Sequence, residues 1–261
     1  MTDCNVLHIF LGDNDGQKGP QKMGELHMPV FKLIDELIFP SPDLAERDGL
    51  LCVGGDLSEE RLLLAYSMGI FPWYSEDSPV LWWSPDPRLV LFLQDLKVSR
   101  SLRQLLKKDH YEVTMDTAFP DVIKNCASVR RNEGEGTWIT AEMEEAYIQL
   151  HRSGFVHSIE SRHNGELAGG LYGVALGGVF FGESMFSKRS NASKVAFVTL
   201  VQQLIKWNFT LIDCQVATSH LKSFGAQEIP RSEFMQRVKN ALQMPTRKGK
   251  WHLAHPYQVF E

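Results

Sequence analysis

The chain has 261 residues, 43% of them hydrophobic and 23% charged, with a formal net charge of −5. That is ordinary globular usage in a chain long enough to bury a sizeable core without staples. The four cysteines, Cys4, Cys52, Cys126 and Cys214, are scattered with no C-x-x-C pair, which argues against a structural zinc site or a disulfide framework and fits a reducing compartment. No apolar run approaches the roughly 18–20 residues of a spanning helix, and the start lacks the basic-then-apolar pattern of a signal peptide. A soluble cytosolic protein is expected.

Residues 1–28 are polar with little periodicity and read as a loose extension. Ser58 then caps a short helix with Glu59 and Glu60 in its first turn and Gly69 at its end. Ile70 to Arg88 holds three of the six tryptophans and four of the twelve prolines. Prolines bar regular helix and central strand, so the aromatics are expected on a stiff, irregular scaffold. Ser99 caps a helix to about Lys108, with Leu102, Leu105 and Leu106 on its apolar side. Strand-like Tyr111–Met115 follows, then helices over Ala118–Ala127 and Ala141–Arg152. Phe155–Ser161 and Glu166–Val174 form a hairpin around Asn164-Gly165. After the turn Gly177-Gly178 come a strand at Val179–Glu183, a helix over Ala192–Trp207 and a strand at Leu211–Gln215. A helical turn near His220, a strand at Gln227–Ile229 and a helix from Ser232 close the series.

The order β-α-α-β-β-β-α-β-α-β is the succession of the GNAT acyltransferase fold. The fold class expected is α/β of the α+β kind. Residues 29–95 form a small N-terminal domain, and 96–261 a GNAT-like catalytic domain with a mixed, mostly antiparallel sheet. The order speaks to fold and not to chemistry. Charge is uneven: residues 1–87 carry 5 Lys+Arg against 15 Asp+Glu, residues 88–110 carry 6 against 2, and residues 222–250 carry 7 against 2. Local basic faces can hold phosphates on an acidic protein, because fields are screened within about 8 Å at physiological salt. Two solvated basic stretches are the plainer reading.

Several runs together resemble one family: Gly54-Gly55-Asp56-Leu57, Gly69-Ile70-Phe71-Pro72-Trp73, Leu81-Trp82-Trp83-Ser84-Pro85-Asp86-Pro87-Arg88, Gly136-Thr137-Trp138-Ile139-Thr140, Gly182-Glu183-Ser184-Met185-Phe186-Ser187 and Ile212-Asp213-Cys214-Gln215. They look like those of bacterial leucyl/phenylalanyl-tRNA–protein transferases, in the family's order from about Phe39 to Arg231. The resemblance implies an aminoacyltransferase that uses leucyl-tRNA or phenylalanyl-tRNA. It implies acceptor proteins with N-terminal Arg or Lys, marked thereby for degradation, and a GNAT-like domain without coenzyme A. No cofactor or metal and no membrane are expected, and a monomer is. The chain departs from the family's pattern at Gln104, where a further basic residue is usual, and at Leu200, where an aromatic is usual. The first trims the tRNA-contact set; the second bears on pocket depth.

Such a reaction brings an amine to an already activated ester while water is kept away. The site needs oxyanion donors, a group that orients or deprotonates the amine, and an apolar slot. Asp213, Gln215 and Glu183 are the candidate catalytic residues. Asp213 and Gln215 stand two apart on a strand and are expected on one face, with Cys214 turned into the core. Glu183 is assigned to the donor α-amine, Gln215 to the attacking amine, and Asp213 to aligning Gln215 or accepting a proton. Trp73 and Trp138, with Tyr66, are candidates to stack on the terminal adenosine. Leu171, Phe180, Met185, Phe197, Leu200 and Leu204 are candidates for the side-chain pocket. Arg100, Arg103, Lys107 and Lys108 are candidates for the tRNA backbone. Each has a plainer competitor: a turn cap for Asp213, a buried paired carboxylate for Glu183, core packing for the tryptophans and apolar residues.

Two rival readings remain. A coenzyme-A-dependent acetyltransferase would need a glycine-rich pyrophosphate loop before its long helix. Phe186 to Lys194 contains no glycine. A non-catalytic RNA-binding protein would use Arg100 to Lys108 and leave Asp213 and Glu183 idle.

Overall fold

The computed structural model describes residues 30–108, 110–132 and 139–253. The extension and Trp138 lie outside them. In chain order the elements are β1 (Phe31–Leu33), β2 (Leu50–Gly54), α1 (Glu59–Ser67), β3 (Phe71–Pro72), β4 (Leu81–Trp83), β5 (Arg88–Phe92), α2 (Arg100–Leu106), β6 (Glu112–Met115), α3 (Phe119–Asn132) and α4 (Ala141–Arg152). There follow β7 (Val156–His163), β8 (Glu166–Leu176), β9 (Val179–Ser187), α5 (Ala192–Lys206), β10 (Leu211–Gln215), α6 (Ser219–Ser223), β11 (Gln227–Ile229) and α7 (Arg231–Ala241).

Among the described residues the strands form two sheets, ordered β1-β2-β4-β3 and β11-β5-β10-β9-β8-β7-β6. The larger is antiparallel throughout except for the β9–β10 pair, which is parallel. This is the α+β, mixed and mostly antiparallel sheet expected. The Ser58, Ser99 and Thr140 side chains cap α1, α2 and α4 by accepting from the backbone N–H three residues on. Asn164 and Gly165, with φ of 52° and 80°, make the β7–β8 turn, the left-handed pair that this tight hairpin requires.

Two expectations from the sequence change. The proline-rich stretch contains strands: Leu81–Trp83 is an interior strand of the smaller sheet, and Pro72 lies on its β3 edge. The prolines beside β4 flank it instead of interrupting it, and the edge tolerates the missing N–H of Pro72. The chain also enters the larger sheet earlier than residue 96, since β5 pairs with both β10 and β11. Arg88 conceals that strand at sequence level, being a charge at the head of an otherwise apolar run.

The larger sheet is covered on both faces. Along β8, Leu171 and Ala175 face α5, where they join Phe180, Leu200, Leu204 and Trp251 in one core. Tyr172, Val174 and Leu176 alternate to the opposite face and pack with α3, α4 and α7. That second core continues into the smaller sheet through Tyr66, Phe71 and Trp82. Part of the basic stretch 222–250 is paired within the protein. Lys222 pairs with Glu228 at 2.6 Å, Arg237 pairs with Glu233 at 2.7 Å, and the buried Arg231 donates to Ser84 O at 2.6 Å.

Candidate active site

Two bulges open a cleft between β9 and β10. The parallel pairing of these strands ends at Asp213 opposite Phe181. One residue further on, both strands change register against their outer neighbours. On β9, Gly182 and Ser184 pair with successive residues of β8, which leaves Glu183 as the extra residue. On β10, Asp213 and Gln215 pair with successive residues of β5, which leaves Cys214 as the extra residue. A bulge bends its strand and redirects the side chains around it. With one on each strand, the two diverge and leave a cleft of about 400 Å³.

Leu171, Phe180, Met185, Phe197 and Leu200 line this cleft, as assigned from sequence. Gly173 lets its floor form, since a Cβ there would meet Phe181 O at 2.2 Å and the Phe180 ring at 2.6 Å. Leu204 is a correction. It is one turn beyond Leu200 on α5, 0% exposed, and belongs to the core below the cleft. Phe71, Ile212, Thr218, His220 and Leu221 complete much of the wall and were not assigned from sequence.

Trp73 stands at the cleft, 41% exposed. Its backbone N–H donates to Leu81 O at 2.9 Å, and its carbonyl accepts from Trp83 Nε1 at 2.7 Å. A large exposed ring on a pinned backbone has the form on which a flat group can stack. Tyr66 is not one: it is 1% exposed and packed on Phe181, so no ring face is open to a base. Its hydroxyl serves Glu183 instead.

Glu183 lines the cleft among three donors. Tyr66 Oη and Gln215 Nε2 each donate to Oε1 at 2.8 Å, and Tyr147 Oη donates to Oε2 at 3.1 Å. The two tyrosine oxygens also lie against each other; each carries a single proton, and both protons go to Glu183. Burial pushes the Glu183 carboxyl up to about 7, against the pull of the tyrosine hydrogen bonds, while the Asp213 charge raises it further and the Gln215 bond lowers it. A carboxylate offers about four acceptor positions. Three are filled, so roughly one remains for a group arriving from the cleft. Tyr147 escaped sequence assignment. Its signal was a tyrosine on the apolar face of α4, in line with Met143 and Leu150, where a buried hydroxyl needs a partner.

Asp213 and Gln215 differ from expectation. The strand alternation that would put both on one face is broken at Cys214, and Gln215 takes a left-handed φ of +59°. Asp213 is 0% exposed. Its Oδ1 accepts from Arg88 Nε at 2.8 Å and from Gln215 N at 2.9 Å, and its Oδ2 from Arg88 Nη2 at 2.7 Å. A carboxylate with no exposed surface, held ionised in a bidentate pair with Arg88, is not placed to take a proton from substrate. The proton-acceptor role considered for Asp213 is therefore withdrawn. Gln215 gives its amide N–H to Glu183, which turns its carbonyl oxygen free to accept.

Arg100, Arg103, Lys107 and Lys108 are exposed on and just after α2. The nearby Tyr111 hydroxyl donates to Ser190 O at 2.8 Å, tying the start of the larger domain to the loop before α5. Among the described residues, no group of three or more His, Cys, Asp or Glu is placed to hold a metal ion, and no helix is long and apolar enough to cross a membrane.

The family profile described as leucyl/phenylalanyl-tRNA protein transferase matches residues 90–239, and the profile of that family's N-terminal domain matches residues 55–86. A leucyl/phenylalanyl-tRNA–protein transferase of Anaeromyxobacter sp. (strain Fw109-5) is 59% identical over 226 residues, covering 87% of this chain and 96% of the relative. One from Syntrophobacter fumaroxidans is 64% identical over 208 residues, covering 80% and 89%. A solved structure titled L-PGS from Bacillus licheniformis aligns with TM-score 0.37 at 12% identity over 65% of this chain and 54% of that one, too loose a likeness to carry an argument. The profile matches take in the residues that line the cleft, and on them and these relatives the chain belongs to the leucyl/phenylalanyl-tRNA–protein transferase family.

Proposed function

We propose that this protein moves leucine or phenylalanine from its charged tRNA onto the N-terminal amine of a protein that begins with Arg or Lys, in the cytoplasm and as a monomer. The observation that carries the reading is the cleft itself: an apolar slot ending at a carboxyl that burial raises to about 7. The side chain of the transferred residue fills the space between Phe180, Met185, Phe197 and Leu200. A slot of this shape suits unbranched-at-β side chains. Its α-ammonium meets the open acceptor position of Glu183. Trp73 stacks on the terminal adenine, and α2 meets phosphates of the acceptor stem through Arg100, Arg103, Lys107 and Lys108. Trp138 lies outside the described residues and keeps its place only as an assignment from sequence.

The chemical step needs orientation more than acid–base force, because the ester is already activated by its ribose. The free carbonyl oxygen of Gln215 accepts from the attacking amine and points its lone pair at the ester carbon. A carboxamide cannot take the proton. That proton passes to the departing ribose oxygen, which ends as a hydroxyl, while Glu183 stays ionised against the donor ammonium. The N-terminal Arg or Lys of the acceptor, the product's exposure to degradation, and the monomeric state follow the family reading. Incubation with labelled leucyl-tRNA and a peptide beginning with Arg tests it. Label should appear in an amide at the peptide N-terminus; label that stays on tRNA, or moves only to water, would overturn the proposal.

A further inference from the structure

Arg88 has no role in the reaction as set out so far, yet two aromatic rings and a buried carboxylate hold its side chain. It is buried, and its guanidinium lies 4.7 Å from the ring centroids of both Phe71 and Phe234. Phe71 comes from the smaller sheet beside Trp73, and Phe234 from α7. Held between two aromatic faces, the planar group can present its fork in only one plane. That fork grips both oxygens of Asp213.

We infer that Arg88 is a positioning residue for the transfer step: by fixing the Asp213 carboxylate it holds Gln215 in the backbone conformation that aims its carboxamide into the cleft. The inference rests on the role given to Gln215 above. Three observations meet in it. Gln215 is a side-chain-bearing residue at φ +59°, a conformation such residues avoid unless their surroundings impose it. The contact that imposes it is the bond from Gln215 N to Asp213 Oδ1. Asp213 is wholly buried, and a buried carboxylate keeps a defined orientation only while it is paired and hydrogen-bonded. The chain of contacts runs from the Phe71–Phe234 sandwich through Arg88 and Asp213 to the Gln215 backbone, and from there through Nε2 to Glu183. Neither Arg88 nor Asp213 gives or takes a proton in this account.

Arg88→Lys separates positioning from acid–base chemistry. It keeps a positive charge beside Asp213 but replaces the fork with a single donor. It should lower kcat about a hundredfold, the scale of an ångström-level misplacement, with donor KM unchanged. A wild-type kcat in this variant overturns the inference. Thermal melting and binding of a phenylalanyl aminonucleoside establish that the variant is folded. Should Arg88→Lys fail to fold, Phe234→Leu, which opens one side of the aromatic sandwich, decides by the same readouts. A fall in kcat with unchanged donor KM and an unmoved acid limb of the pH profile supports positioning. A change in KM alone, or a displaced acid limb, refutes it. A wild-type protein that transfers nothing sinks the proposed function instead, so the two failures are distinguishable.

Discussion

Tyr147→Phe removes one oxygen atom and one of three hydrogen bonds to Glu183, that from Tyr147 Oη at 3.1 Å. The cavity left is that of a hydroxyl, so the fold should persist. The effect is electrostatic. Burial already raises the Glu183 carboxyl from 4.5 to about 7, and the tyrosine bonds work against that rise. A hydrogen bond to a charged group contributes about 1.5–3 kcal/mol. At about 1.4 kcal/mol per pH unit, losing it moves the carboxyl up by about one to two units, to about 8–9. The ionised form is the one that holds the donor ammonium, so transfer should rise with pH through about 7 in the wild type and through about 8–9 in the variant. At neutral pH the variant should be about 5- to 50-fold slower, and the gap should close near pH 9. The assay is single-turnover transfer from labelled leucyl-tRNA at saturating donor, measured from about pH 6 to about pH 9. An acid limb that does not move in Tyr147→Phe would refute the assignment of that limb to Glu183.

Glu183 also makes folding depend on pH. Its folded-state value lies above the unfolded one, so its contribution to stability is complete below about pH 4.5 and is lost as pH rises through about 7. Glu183→Gln should therefore lessen the drop in melting temperature between about pH 5 and about pH 8, and it should relax discrimination against N-acetylated donors; an unchanged drop counts against the buried carboxyl. Trp73→Ala should weaken binding of aminoacyl-adenosine mimics by about 5- to 150-fold, the value of one base–aromatic stack, in calorimetric titration; equal affinity would place the base elsewhere. Arg100→Ala with Lys107→Ala should lower affinity for charged tRNAs alike and flatten the dependence of log K on log salt by about two, one per phosphate contact, while leaving the small mimics unaffected.

Much of the fold was legible because it rests on local signals. The hairpin at Asn164-Gly165 and the serine and threonine caps each follow from a few neighbouring residues. Phe197 and Leu200 were legible for a similar reason, being one helical turn apart on α5; Phe180 and Met185, five apart on β9, share the cleft face only because the bulge at Glu183 shifts the alternation. What escaped depends on partners far apart in the chain. Tyr147 and Arg88 become meaningful only through Glu183 and Asp213, 36 and 125 positions away. The bulges at Glu183 and Cys214 have no sequence mark, because a bulge is an offset between two strands and neither strand records it alone. That offset is why a strict alternation rule put Asp213 and Gln215 on one face. Leu204 obeyed helical spacing and still missed the cleft, which ends one turn earlier at Leu200.

The central claim is that this cleft receives the aminoacyl end of the donor. A crystal structure with a non-hydrolysable phenylalanyl aminonucleoside tests it most directly. The account predicts the phenyl ring between Phe180, Met185, Phe197 and Leu200, the α-amine on Glu183, and the base against Trp73. A ligand seated outside the β9–β10 cleft, or one whose α-amine points away from Glu183, would contradict it.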